Sequence, residues 1–195
     1  MENRRSGQML FLFTILALFM FIPLFLYQSF GPLDFWCWMS FNLIILISLT
    51  YSLDKTYKPF LIEDLGKNVL KKVSTGLFSA AILYMVFFVG NILSRWMFDF
   101  AGDGIEGVYG FKGEATGFRI AALMILIIGP GEELFWRGYL QRNMQGKFGK
   151  WGGFILATLL YTGVHVFTGN IMLILAALFA GLFWGWMFMR YRSMV

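Results

Sequence analysis

Apolar residues gather into six long runs, at 8–28, 33–53, 75–98, 118–140, 150–168 and 171–189, with polar residues between them. A helix crossing a hydrocarbon layer of about 30 Å needs roughly 20 residues. The runs are therefore read as membrane spans. The fifth is marginal, because Thr168, Gly169 and Asn170 set it only weakly apart from the sixth. It reads as a short or broken helix. The first run follows Arg4 and Arg5, as in a secretory signal. It is too long for one, and no small-x-small site follows, so an uncleaved anchor is expected. Residues 59–74 mix Phe60, Leu61, Ile62, Leu65, Val69, Leu70 and Val73 with charges, a spacing that predicts an amphipathic interfacial helix.

Composition agrees with this pattern. The chain is 58% hydrophobic and 19% aromatic, with mean hydropathy +0.68. Only 14% of residues are charged, against about 25% in ordinary soluble domains. The expected fold is all-α: a polytopic membrane protein with about six transmembrane helices and a kinked fourth span. Residues 1–117 are read as amino-terminal spans and loops, and 118–195 as a carboxy-terminal core, in one structural domain. Membrane lipid is the surrounding partner. No basic stripe is interleaved with aromatics, so nucleic acid is not expected. Cys37 is the single cysteine, which excludes an intrachain disulfide and a cysteine metal cluster.

Charge then sets orientation. Basic residues cluster at Arg4 and Arg5, at Lys55, Lys58, Lys67, Lys71 and Lys72, at Arg142, Lys147 and Lys150, and at Arg190 and Arg192. The 99–117 loop is mostly acidic, with Asp99, Asp103, Glu106 and Glu114 against Lys112. Alternate loops are thus basic, which predicts a multi-pass cell-membrane protein with both termini cytoplasmic. Trp36, Trp38, Trp96 and Trp151 fall near span ends, as interfacial aromatics do. Residues 101–117 hold six glycines, including Gly102-x-Gly104-x-x-Gly107. That spacing binds dinucleotides only between a strand and a helix of a parallel sheet. After a membrane span, it is expected to be a flexible external loop.

The candidate chemistry lies in Gly129-Pro130-Gly131-Glu132-Glu133-Leu134-Phe135-Trp136-Arg137. Each ionisable group near mid-membrane costs roughly 2.5 kcal/mol or more. Pro130 cannot donate a backbone hydrogen bond, so a kink is expected there. Irregular backbone at that depth needs protein or water to cover it, which points to a polar cavity. Glu133 and Arg137 are i and i+4 and can pair on one face, leaving Glu132 about 100° away to face the cavity as a general base. The competing reading is a polar helix end with Arg137 snorkelling to the interface. His165, the single histidine, is either a satisfied core residue or the partner of Glu132. Glu plus His is the minimum for activating water, directly or through a metal.

Glu132-Glu133-x-x-x-Arg137, followed by Tyr161-x-x-x-His165, resembles the CPBP family of CAAX-processing and bacteriocin-processing intramembrane proteases, also called the Abi family. Phe179 to Gly185 resembles its later glycine-containing helix. The resemblance covers about 118–195. It implies an intramembrane endopeptidase acting on membrane-associated peptides or proteins. Glu132 would activate water, His165 would bind that water or a metal, and Glu133 and Arg137 would hold the architecture. It also implies a divalent metal, zinc, on Glu132 and His165, with a metal-free glutamate mechanism as the other course. Two departures stand out. Tyr161 replaces the family's usual Phe, and the final His-x-x-x-Asn helix would begin where the sequence stops at Val195. The expectation is that the sequence is truncated. A catalytically incomplete scaffold or immunity-type relative is the alternative. A small proton-coupled transporter is disfavoured, because no counterpart of Gly-Pro-Gly-Glu-Glu occurs in the first half. Ala177, Gly181 and Gly185 read as a helix-packing stripe. With straight helices, Glu132 would lie about 13 Å and His165 about 22 Å from the cytoplasmic ends of their spans, a mismatch in depth.

Overall fold

Backbone N–H and C=O groups in lipid must bond within the chain, and this chain satisfies them with helix almost throughout. The computed structural model describes residues 2–193, with side chains from Gly7 onward, so Arg4 and Arg5 lie outside the described side chains. The helices are α1 (Glu2–Tyr27), α2 (Phe35–Leu53), α3 (Tyr57–Gly66), α4 (Val69–Met97), α5 (Ala101–Gly110), α6 (Gly117–Leu123), α7 (Gly129–Glu132), α8 (Arg142–Val166) and α9 (Ile171–Tyr191). Two π-helical segments, Met124–Ile128 and Glu133–Gln141, flank α7. The described residues contain no extended strand.

Four helical stretches are by themselves long and apolar enough to cross a membrane: Gly7–Tyr27, Phe35–Leu53, Val69–Met97 and Ile171–Tyr191. The expected fourth span is instead a succession of α6, π-helix, α7 and π-helix. The fifth is the second limb of α8. In that helix Gly149, at φ 80° and ψ 166°, breaks the helical backbone. The chain reverses so tightly there that a Cβ on Gly153 would fall 2.2 Å from the Gln145 backbone nitrogen.

Contacts at the helix ends show how the path of the chain runs. At one end, Arg142 Nη1 donates to the Thr56 carbonyl at 3.0 Å, and Arg192 Nη1 donates to Gln145 Oε1 at 3.1 Å. A Cβ on Gly7 would lie 3.5 Å from Lys147 Nζ, so the start of α1 sits there too. At the other end, Trp36 Nε1 donates to the Phe111 carbonyl at 2.9 Å, and Asn170 Nδ2 to the Gly104 carbonyl at 2.7 Å. The chain therefore travels between the two ends six times, as the six apolar runs predict. The basic connectors share one end.

Local signals explain the boundaries. Asp34 Oδ1 accepts from the Cys37 N–H at 3.0 Å and starts α2, and Asn170 Oδ1 accepts from Met172 and Leu173 to start α9. The expected amphipathic helix over 59–74 is divided. It ends at Gly66, Asn68 takes a left-handed φ of 53°, and α4 begins at Val69. Lys72 folds back across the break to the Asp64 carboxylate. The expected flexible loop at 101–117 is also corrected, since 101–110 form α5. Its glycines permit close approach: a Cβ on Gly104 would meet Met172 Cγ at 2.7 Å, and one on Gly107 would meet Asn170 Nδ2 at 3.0 Å.

One apolar cluster runs from Leu10 through Leu43, Leu46, Phe135 and Tyr161 to Ala177, spanning residues on both sides of position 117. Helix α4 stands largely outside it, with Ser79 and Leu83 its buried residues. Helix α9 packs against α8 along the small-residue stripe. A Cβ on Gly181 would meet Thr158 Cγ2 and Tyr161 Cδ1 at 3.2 Å, and one on Gly185 would meet the Phe154 ring at 2.9 Å.

Gly153→Ala should lower unfolding stability by about 1–3 kcal/mol, because its methyl collides with backbone. Gly163→Ala, with open space at its Cβ, should be neutral or stabilising by about 0.5–1 kcal/mol. Unfolding in bicelles followed by tryptophan fluorescence would separate them, and equal effects would contradict the reversal at Gly149.

Candidate active site

The backbone before the acidic pair is shaped by Gly-Pro-Gly, and each residue has its own cause. Pro130 has no N–H to give, and its ring would strike a preceding carbonyl in a regular α-helix. The helix widens instead: the Gly129 N–H reaches back five residues to the Met124 carbonyl. That carbonyl would lie 2.8 Å from any Cβ at position 129, so the widened turn needs glycine. Gly131 lets α2 approach, since its Cβ would sit 3.2 Å from Leu43 Cβ. The expected kink is thus absorbed as π-helix, a backbone form found often at functional sites.

The structure separates the two glutamates as their spacing predicts. Glu133 Oε1 lies 3.3 Å from Arg137 Nη1. The pair is a charge contact without hydrogen-bond alignment at Nη1. Arg137 is 3% exposed. Its Nη2 donates to the Ala180 carbonyl of α9 at 3.3 Å, and its guanidinium lies 4.6 Å from the Tyr161 ring centre. Snorkelling to the interface is excluded by that burial.

Glu132 faces a different neighbour. The Tyr161 hydroxyl donates to Glu132 Oε2 at 3.3 Å. One turn on, His165 Nδ1 lies 2.7 Å from the Tyr161 carbonyl. A carbonyl only accepts, so Nδ1 carries the proton and Nε2 presents its lone pair. Tyr161 therefore touches both proposed reactive groups. The mismatch in depth disappears because the chain turns at Gly149: Glu132 lies 17 residues before that turn and His165 lies 16 after it.

Several contributors escaped sequence reading. Tyr161 was visible only as a hydroxyl where the resemblance expects Phe. Phe25 of α1 packs its ring 4.6 Å from that of His165, and Trp136 lies 5.4 Å from Tyr161. Nothing in the α1 sequence marks Phe25 among its many apolar residues. At the basic end, the buried Tyr57 hydroxyl donates to the Leu134 carbonyl at 2.7 Å. Arg142 Nη2 lies 3.2 Å from Asp54 Oδ2, and its guanidinium sits 4.7 Å over the Phe60 ring. Asp54 of the α2–α3 connector and Tyr57 of α3 thereby hold the π-helical segment near its two ends.

Glu132 and the free His165 Nε2 are the donors that would meet a metal. Among the described residues, no three His, Cys, Asp or Glu converge on one point. Catalytic zinc normally takes three protein ligands, so the described donor set does not fit such a centre.

Residues 115–195 match the family model described as "Type II CAAX prenyl endopeptidase Rce1-like". No curated protein and no solved structure matches the chain.

Arg137→Met should cost about 1–3 kcal/mol, because it removes the buried guanidinium that pairs with the half-buried Glu133 and donates to the Ala180 carbonyl. Adding Glu133→Leu should recover more than half of that loss. A single variant as stable as the wild type in the same unfolding assay would contradict the pairing.

Proposed function

We propose, from the premise that residues 115–195 belong to the CPBP family, that this protein is an intramembrane endopeptidase cutting membrane-associated peptides. Glu132 takes a proton from a water molecule as its oxygen attacks the scissile carbonyl. The Nε2 lone pair of His165 accepts a hydrogen bond from the water's other O–H, which stays on the attacking oxygen, and fixes its orientation. Glu132, then protonated, returns the proton to the departing amine. Glu133 and Arg137 hold the π-helical segment against α8 and α9 and take no part in the proton transfers. No step is assigned to a metal. The basic end, with both termini, faces the cytoplasm of the cell membrane.

The observation that supports this reading is the double contact of Tyr161, with Glu132 on one side and His165 on the other. Two groups able to act on one water come from separate segments into a buried setting lined by aromatic rings.

A prenylated CAAX-type peptide reporter in proteoliposomes tests the proposal. Glu132→Gln and His165→Ala should each reduce cleavage by roughly 10²–10⁴-fold while leaving the unfolding transition unchanged. Undiminished cleavage in either folded variant would remove that residue from the mechanism. A wild-type protein that binds the reporter without cutting it would favour the scaffold reading.

A further inference from the structure

We infer that Tyr161 is a positioning residue for the reaction, its hydroxyl holding Glu132 Oε2 so that Oε1 is turned toward the water. The inference rests on the protease reading. The terminal torsion of a glutamate is broad, so packing alone does not fix the plane of the carboxylate. A directed donor does. The Tyr161 hydroxyl supplies one, a long hydrogen bond at 3.3 Å from Oε2.

The donor itself is rigidly placed. Tyr161 is 7% exposed. Its ring is held by the Arg137 guanidinium at 4.6 Å and by Trp136 at 5.4 Å. Its Cδ1 is within 3.2 Å of where Gly181 would carry a Cβ, so a side chain at 181 would push the ring out of place. The same residue's carbonyl fixes the His165 ring through Nδ1 at 2.7 Å. Both reactive groups therefore take their orientation from one residue of α8. The hydroxyl at this position distinguishes this chain from the phenylalanine of the family resemblance. Here the water-activating carboxylate has a partner that a phenyl ring cannot provide.

Tyr161→Phe isolates the hydroxyl, because it keeps the ring, the stacking of Arg137 and the carbonyl that holds His165. Cleavage should show kcat lowered by roughly 10–100-fold, the loss of one hydrogen bond to a charged group, with KM within about two-fold of wild type. A second measurement does not depend on cleavage. A hydrophobic carbodiimide should label Glu132 several-fold faster in Tyr161→Phe, because Oε2 is uncovered, as read by fragment mass spectrometry. Unchanged labelling overturns the inference, and so does a kcat within about two-fold of wild type. If the wild type cuts nothing yet Tyr161→Phe labels faster, the protease reading falls. The hold of the hydroxyl on Glu132 then stands by itself.

Discussion

A guanidinium enclosed by helices has to be matched in charge and in hydrogen bonds, and the matching of Arg137 ties the site together. Its charge meets Glu133 on the same π-helical segment. It donates to the Ala180 carbonyl of α9 and stacks on Tyr161 of α8. Three elements are thereby brought to one side chain. A lysine would supply the charge but not the planar fork that stacks and donates at once. The small residues of α9 serve the same end, since Gly181 and Gly185 let neighbouring side chains reach its carbonyls. Thr158 Oγ1 donates to the Gly181 carbonyl at 3.4 Å and Gln141 Nε2 to that of Gly185 at 2.8 Å.

Backbone geometry then decides which side chains meet. The π-helical turns around Pro130 set the direction in which Glu132 leaves the helix, and the reversal at Gly149 sets which residue of α8 it meets. The aromatic cover comes from farther off. Phe25 belongs to α1, outside the 115–195 match, yet its ring is against His165. The amino-terminal spans are therefore part of the site's environment. Excluding bulk water from charged groups strengthens their interactions, because the local dielectric is low.

Much of this was legible in the chain. Six apolar runs foretold six passages, and alternating basic loops foretold which connectors share an end. The i, i+4 spacing foretold the Glu133–Arg137 pair. What stayed hidden depended on tertiary contact. Glycines at 101–117 look like loop punctuation, but Gly104 and Gly107 serve close helix packing in α5. The break at Asn68 lies inside a pattern that reads as continuous amphipathic helix. The depth of His165 could not be placed without knowing that α8 begins at Arg142 and turns at Gly149. Tyr57 and Phe25 carry no local signature, because their partners, Leu134 and His165, are distant in sequence.

The turn in α8 lays Tyr161 beside Glu132, with His165 one helical turn beyond. Paired cysteines in a Cys37→Ser background, cross-linked with a short bifunctional thiol reagent in native membranes, test it most directly. Glu132→Cys should cross-link strongly with Tyr161→Cys, and not with Trp151→Cys at the opposite end of that limb. Cross-linking to position 151 in preference to 161 would contradict it.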